Sequence, residues 1–468
     1  MRKSLEMRKR HSVACLILGL GLVLDSAAQT PPPGQLIEKV TAIAQPVQSY
    51  ALYLPSNYTA QKKWPILFAF DPSADGKIPV DKFREAAEKY GYIVVGSNNS
   101  QNGPFAPELA AFKAMWEDTH ARLAIDDRRV YFTGFSGGAR VATSIALLCK
   151  NCAAGIIACG AGFPASQDPA KPLPFAYFST IGLYDFNFFE VKDLHDKLER
   201  LQTPHRLSIF PGRHEWLPKE LAVEAIEWME LRAMASGLRP KDEAFIETKW
   251  QQGMQRAQKP ANEKDVAAEY EAYKHLAADF RGLRDVGDVE KQAQSLEKSP
   301  EVRAAAKKLS DQERMQQQLT GELIAKMETL KDDPGNLVDR LQELHGRLAQ
   351  LKSQRDKEKD PDTVTVLRRS LGSLYVYAWE NADRMRERRN FSLAATYLEL
   401  NTEITPDNPE LYYNLAAIGS LARDKKKALS ALRKAMDHGY QDMARLNTDP
   451  DLEFVRQTPE FKSLTAHQ

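Results

Sequence analysis

The chain has few cysteines and almost no excess charge. Among its 468 residues there are 4 cysteines, and 64 Lys+Arg face 63 Asp+Glu, a formal net charge of +1. Charge so balanced gives no case for nucleic acid or an anionic membrane as the main partner. Past the N-terminal segment no run is apolar enough to cross a bilayer as a helix. Cys149-Lys-Asn-Cys152 has a C-x-x-C spacing but no second pair and no histidine cluster in sequence, so neither a zinc site nor any other metal or cofactor is expected. In an oxidising compartment a local Cys149–Cys152 disulfide is the expectation, redox work being the cytosolic alternative. Cys159 lies in an apolar strand-like run and reads as a buried thiol.

What is present is a leader-like start. Arg2, Lys3, Arg8, Lys9 and Arg10 precede the apolar run from Val13 to Leu24, and Ser26-Ala27-Ala28 follows. That order is that of a secretory signal peptide over 1–28, cleaved after small residues, and it predicts a secreted or periplasmic protein. An uncleaved anchor is the alternative. Cys15 would leave with the leader.

The most informative stretch is Tyr131-Phe-Thr-Gly-Phe-Ser-Gly-Gly138. Strand-favouring residues run into G-x-S-x-G, and a helix-like segment follows from Ala139 to Leu148. A serine on so tight a strand-to-helix turn needs small neighbours, and the turn lifts its hydroxyl above a sheet edge. A hydroxyl is a weak nucleophile without a base, and the base needs an orienting acid. Both are available downstream. Phe175–Ile181 reads as a strand ending near Asp185, and His205–Phe210 as a strand ending near His214. Each partner therefore occupies a loop just past a strand's C-terminal end, where ligand groups converge in open α/β sheets. The assignment is Ser136 nucleophile, His214 base and Asp185 orienting acid.

The order Ser–Asp–His resembles the α/β-hydrolase superfamily. The fit is closest to secreted esterases related to polyhydroxybutyrate depolymerases and feruloyl esterases, over roughly Tyr50 to Gly237. The resemblance implies carboxylic esters as substrates, with peptides as an alternative on the same fold. It also implies an oxyanion hole built from the N–H of Gly137 and one from the loop Asp71-Pro72-Ser73. Pro72 has no N–H, so Asp71 or Ser73 must give the second. This loop departs from the His-Gly pattern of the family. Asn98 and Asn99, in the polar run Gly96–Gly103, are candidate substrate contacts, a solvated turn being the alternative. Trp216 is a candidate to stack on an aryl or sugar group, the alternative being packing beneath its loop.

Strand-like and helical segments alternate through 36–237, which predicts a doubly wound, mostly parallel α/β sheet. Tyr50–Pro55 reads as an antiparallel edge strand. Asp81–Tyr90, Pro107–Leu123, Val191–Leu201 and Leu217–Ser236 read as helices. Beyond Leu238 glycine thins out and Ala, Glu, Lys, Gln, Arg and Leu dominate. Residues 238–365 are expected to form a helical linker or bundle, in short helices punctuated by Pro260, Pro300, Pro334-Gly335 and Pro361. In 366–468, Ala382, Ala394 and Pro406 recur 34 positions later as Ala416, Ala428 and Tyr440. This resembles tetratricopeptide repeats, a plain bundle being the alternative. Such repeats present a groove to a protein partner or to a second copy. A catalytically silent interaction protein is the competing reading of the whole chain.

Overall fold

The computed structural model describes residues 31–149, 151–164, 167–331 and 336–465. The leader expected at 1–28 and the Pro334-Gly335 break lie outside the described residues.

The first region is a single eight-stranded sheet in the order β1-β2-β4-β3-β5-β6-β7-β8. Its strands are β1 (Leu36–Thr41), β2 (Ser49–Tyr53), β3 (Trp64–Phe70), β4 (Ile93–Ser97), β5 (Ile125–Phe135), β6 (Gly155–Cys159), β7 (Ala176–Gly182) and β8 (His205–Phe210). β1–β2 and β2–β4 are antiparallel; every later pairing is parallel. The helices α1 (Lys77–Tyr90), α2 (Phe105–Arg122), α3 (Gly137–Leu148), α4 (Phe188–Arg200) and α5 (Lys219–Ala235) make the crossovers. This is the expected α/β fold with a mostly parallel sheet.

Alternation along the strands feeds two cores at once. Ile66, Phe68, Phe70, Val130 and Phe132 pack on one face, while Leu67, Val94, Tyr131 and Ile157 pack on the other. Successive strand residues point to opposite faces, so strands covered on both faces read as continuous apolar runs. β2 differs from its expected place. It is buried at every position, because β1 pairs along its outer side and takes over the edge.

The second region is helical: α6 (Glu243–Glu263), α7 (Val266–Phe280), α8 (Gly287–Glu297), α9 (Pro300–Glu328), α10 (Leu337–Lys357), α11 (Pro361–Glu387), α12 (Phe391–Ile404), α13 (Pro409–Leu421), α14 (Lys425–Asp437), α15 (Met443–Thr448), α16 (Glu453–Arg456) and α17 (Pro459–Thr465). Several are longer than the prolines suggested, with 29 residues in α9 and 27 in α11. Pro300 and Pro361 open helices instead of interrupting them, where the missing N–H is no loss. Pro260 sits inside the last turn of α6. The 365/366 boundary falls within α11, so the two expected helical units share that helix.

Leu323, Leu344, Leu348, Leu371 and Leu398 join α9 to α12 in one core, and Tyr413, Ala428, Leu432 and Val455 join α13 to α17 in another. Between α13 and α14 a Cβ on Gly419 would come 2.8 Å from the Ala428 nitrogen. Leu231 and Met234 of α5 share a core with Ile246, Trp250, Leu276 and Phe280, which docks the helical region onto the sheet region. Among the described residues no helix is long and apolar enough to cross a membrane.

Candidate active site

β5 ends at Phe135, and the chain turns sharply through Ser136 at φ 52° and ψ −121° into α3. Positive φ is costly for a residue with a Cβ. The flanking glycines make the turn fit. A Cβ on Gly134 would lie 2.2 Å from the Gly138 carbonyl oxygen, and one on Gly138 would lie 2.0 Å from that of Phe70. The Ser136 N–H donates to Cys159 O at 2.8 Å, pinning the turn to β6.

The loops after β7 and β8 are laced together. Leu183 N–H donates to Phe210 O at 2.8 Å and Tyr184 N–H to Gly212 O at 2.9 Å. They bring Asp185 to His214 and His214 to Ser136. His214 Nε2 is 2.9 Å from Ser136 Oγ, and its Nδ1 is 2.9 and 3.0 Å from the two Asp185 oxygens. With Nδ1–H donating to the carboxylate, Nε2 is left to accept the serine proton.

Asp185 is fully buried and also accepts from Asn187 N–H at 2.9 Å. Burial raises its pKa above the usual carboxylate value, while the hydrogen bond from His214 opposes that rise. The imidazole is flanked by Phe135 and Phe186, with ring centroids 4.6 and 4.3 Å away. Its edge stays reachable, with 21% of the side chain exposed.

Gly137, the residue after Ser136, opens α3. Of the two alternatives for a second donor, Ser73 is turned away. Its N–H and its hydroxyl both donate to the Asp71 carboxylate, the N–H at 2.9 Å. The N–H of Asp71 is the remaining alternative. The Asp71 carboxylate, 2% exposed, also accepts from Trp216 Nε1 at 2.7 Å.

The asparagines expected as substrate contacts make hydrogen bonds within the fold. Asn98 accepts from Gly76 N–H and donates to Glu38 O. Asn99 accepts from Ser49 N–H and donates to Val47 O. Both amides lock the loop to the β1–β2 hairpin, because hairpin backbone groups lie within their reach. Trp216 is buried against Phe135 and tied to Asp71, so it supports the site from below.

Sequence reasoning missed Asn102, later in the same loop. Its side-chain oxygen would lie 1.8 Å from a Cβ on Gly137, so the exposed amide sits beside the residue that follows Ser136. Its N–H donates to Pro72 O at 2.9 Å. The signal available was the asparagine run itself; its register was not. The disulfide Cys149–Cys152 is formed, and Cys159 is a buried thiol raised to about 11 by burial.

A cavity of about 1370 Å³ opens at the other end of the sheet, by the N-terminal ends of β6–β8, and none of Ser136, Asp185 and His214 lines it. There His195, Glu199 and His205 bring possible ligand atoms within 4.8 Å of one another. The Lys274 ammonium already holds Glu199 at 2.7 Å. Burial first, then His205 and the cations Lys274, Lys192 and Arg206, push the His195 pKa down to about 2.

No family model matches the chain. Among curated proteins, a chloroplastic protein of Arabidopsis thaliana is 27% identical over 147 residues, 31% of this chain and 40% of that protein. The chain thus spans well under half the length of that relative. Among solved structures, the S-formylglutathione hydrolase of Staphylococcus aureus is 15% identical, covering 42% of this chain and 96% of its own, with a TM-score of 0.34. An esterase of Pyrobaculum calidifontis is 12% identical, covering 44% and 87%, with a TM-score of 0.35. The feruloyl esterase module from Clostridium thermocellum, complexed with sinapinate, is 14% identical, covering 42% and 87%, with a TM-score of 0.33.

Proposed function

We propose that the protein is a serine hydrolase that cleaves carboxylic esters through an acyl-enzyme. Ser136 Oγ attacks the ester carbonyl as His214 Nε2 takes its proton. Asp185 holds the Nδ1–H tautomer and balances the imidazolium that forms. The negative oxygen of the tetrahedral intermediate is received by the N–H groups of Gly137 and Asp71. His214 then returns the proton to the departing alcohol, and water repeats the sequence on the acyl-enzyme.

One observation carries this reading: side chains from three separate loops form a continuous Ser136–His214–Asp185 hydrogen-bond relay, with the serine in a strained backbone conformation. Nothing in packing alone requires a serine at positive φ beside a histidine.

A fluorophosphonate probe tests the chemistry. The mature protein takes one label and Ser136→Ala takes none; a folded wild-type protein that stays unlabelled refutes the assignment. A panel of short-chain aryl esters, feruloyl esters and aminoacyl amides tests the ester preference, which a clear bias to amides would overturn.

Residues 1–28 are proposed to be a cleaved leader, and the Cys149–Cys152 disulfide is in keeping with an oxidising compartment. N-terminal sequencing of the exported protein should begin at Gln29. Helices α11–α14 are proposed to be tetratricopeptide-like, with a protein partner or a second copy as ligand. The close approach of α13 and α14 at Gly419 and Ala428 supports that reading.

A further inference from the structure

Residues Leu183 to Phe186 carry Asp185, and three of their backbone donors are used within the sheet region. Leu183 N–H, Tyr184 N–H and Asp185 N–H go to Phe210 O, Gly212 O and Gly182 O. Two of their carbonyls are taken by the helical region. Arg369 of α11 donates from Nε to Leu183 O at 2.8 Å, and Gln316 of α9 donates to Phe186 O at 3.2 Å. The intervening side chains are gripped as well. The Arg368 guanidinium lies 4.7 Å over the Tyr184 ring, and a Cβ on Gly372 would touch Phe186 Cβ at 3.4 Å. The residues on both sides of Asp185 are thus held from α9 and α11, and Phe186 in turn packs on the His214 ring at 4.3 Å.

Arg369 is the unusual member. It is 1% exposed, its guanidinium carbon sits 3.5 Å over the Phe188 ring, and its Nη1 has no hydrogen-bond partner among the described residues. An arginine placed only for packing has an apolar substitute that avoids stripping a cation of water. Burial drives its pKa down to about 10, and the nearby Asp185 charge is the first of the influences that pull it back up.

We propose that α9 and α11 complete the active site, and that Arg369 is a positioning residue that holds the Leu183–Phe186 loop so that Asp185 meets His214. The inference rests on the serine-hydrolase reading. It gives the helical region a part in turnover distinct from any partner it binds. The geometry acts through the orientation of the acid and of Phe186, so the step affected is proton transfer from Ser136, with substrate binding left largely alone.

The test uses the full mature chain and its Arg369→Met, Arg369→Lys, Gln316→Leu and Ser136→Ala variants. The readouts are the fluorophosphonate labelling rate and the kcat and KM for p-nitrophenyl acetate. Displacing a catalytic group by a fraction of an ångström to one ångström costs up to about 100-fold. Arg369→Met should therefore lose about 10- to 100-fold in kcat and in labelling rate with little change in KM. Arg369→Lys, which keeps the charge and a donor, should recover most of that loss. A purely structural arginine would lower the melting temperature without this split. Folded Arg369→Met that labels at the wild-type rate, or that changes KM alone, overturns the inference while Ser136-dependent labelling leaves the hydrolase reading standing. If Arg369→Met does not fold, Gln316→Leu decides by the same criterion. A wild-type chain that does not label overturns both.

Discussion

In the middle of the sheet a strand residue is buried whichever way it points: β3 is buried along its whole length, and so are β4, β6 and β7, while the outer strands β1 and β8 are partly exposed. In the helical region most elements bury one stripe, as in α14, where only Ala428, Leu432 and Ala435 are buried. A strand covered on both faces is fixed in register by every residue, so the loops at its end are fixed too. A helix held by a stripe leaves its remaining faces open to other work. Here α11 buries Leu367, Leu371 and Leu374 in the helical core while Arg369 points into the sheet region. Asp185 therefore follows a strand, β7, that is buried at every position, and the support of its loop comes from the layer with faces to spare.

The comparison can be broken most severely at the acid. Asp185→Asn leaves a shape of nearly the same size but favours the wrong imidazole tautomer, and turnover should fall by about 10⁴-fold. The measurement is kcat on an aryl ester, with the melting temperature as control. A loss under about tenfold would mean that the sheet layer does not organise the histidine as described.

The joint between the layers is the next target. Trp250 packs edge-on to Phe280 at 5.2 Å, beneath Arg284, in the core that α5 shares with α6 and α7. Trp250→Ala should cost about 3–5 kcal/mol. Calorimetry should show the helical transition moving down in temperature away from that of the sheet. A single transition shifted as a whole would mean that the two layers unfold as one unit.

A third variant sharpens the contrast within the sheet layer. Glu108 in α2 is 5% exposed, and burial raises its carboxyl from 4.5 to about 7. A carboxyl raised in the folded state binds protons more tightly there than when unfolded. Its neutral form therefore stabilises the fold at low pH, and that contribution is lost as pH rises from 4.5 to about 7. Glu108→Gln should flatten this fall and gain up to about 3 kcal/mol at pH 8 relative to the wild type. Denaturant titrations at pH 5 and pH 8 check it; equal differences at both would contradict the burial account.

The smallest effect is expected at the disulfide. Cys149 and Cys152 close a loop with a sequence separation of 3, so removing the bond gives up about 2 kcal/mol at most. A Cys149→Ser, Cys152→Ser double variant should melt a few degrees lower and keep its labelling rate, since the bond lies at the far end of α3.

The surface ion pairs do not alter this comparison. Pairs such as Lys291–Asp288, 79% and 98% exposed, contribute little in water. The stripes and the shared core carry the helical region.

Much of the molecule was legible in its order of residues because the features concerned are local. Gly134, Ser136 and Gly138 announce a turn that only small neighbours permit. Apolar runs announce strands covered on both faces. The chain order after Ser136 offers one acid and one histidine at successive strand ends. Other features were not legible. β1 takes the edge that β2 was expected to hold, and Ser73 gives its donors to Asp71 two positions away, neither of which composition or spacing reveals. Asn98 bonds to Glu38 and Asn99 to Ser49, partners 60 and 50 positions away in the chain.

The amino-acid order by itself determined the elbow, the alternation of strand and helix, and the change to a helical second half, since these follow from turn sterics and from the period of apolar residues. Only the tertiary structure decided that α9 and α11 lie against the Asp185 loop. Arg369 and Leu183 stand 186 positions apart, and no local propensity encodes a contact over such a separation. It arises when two independently patterned surfaces bury their apolar stripes together and leave one guanidinium facing one carbonyl.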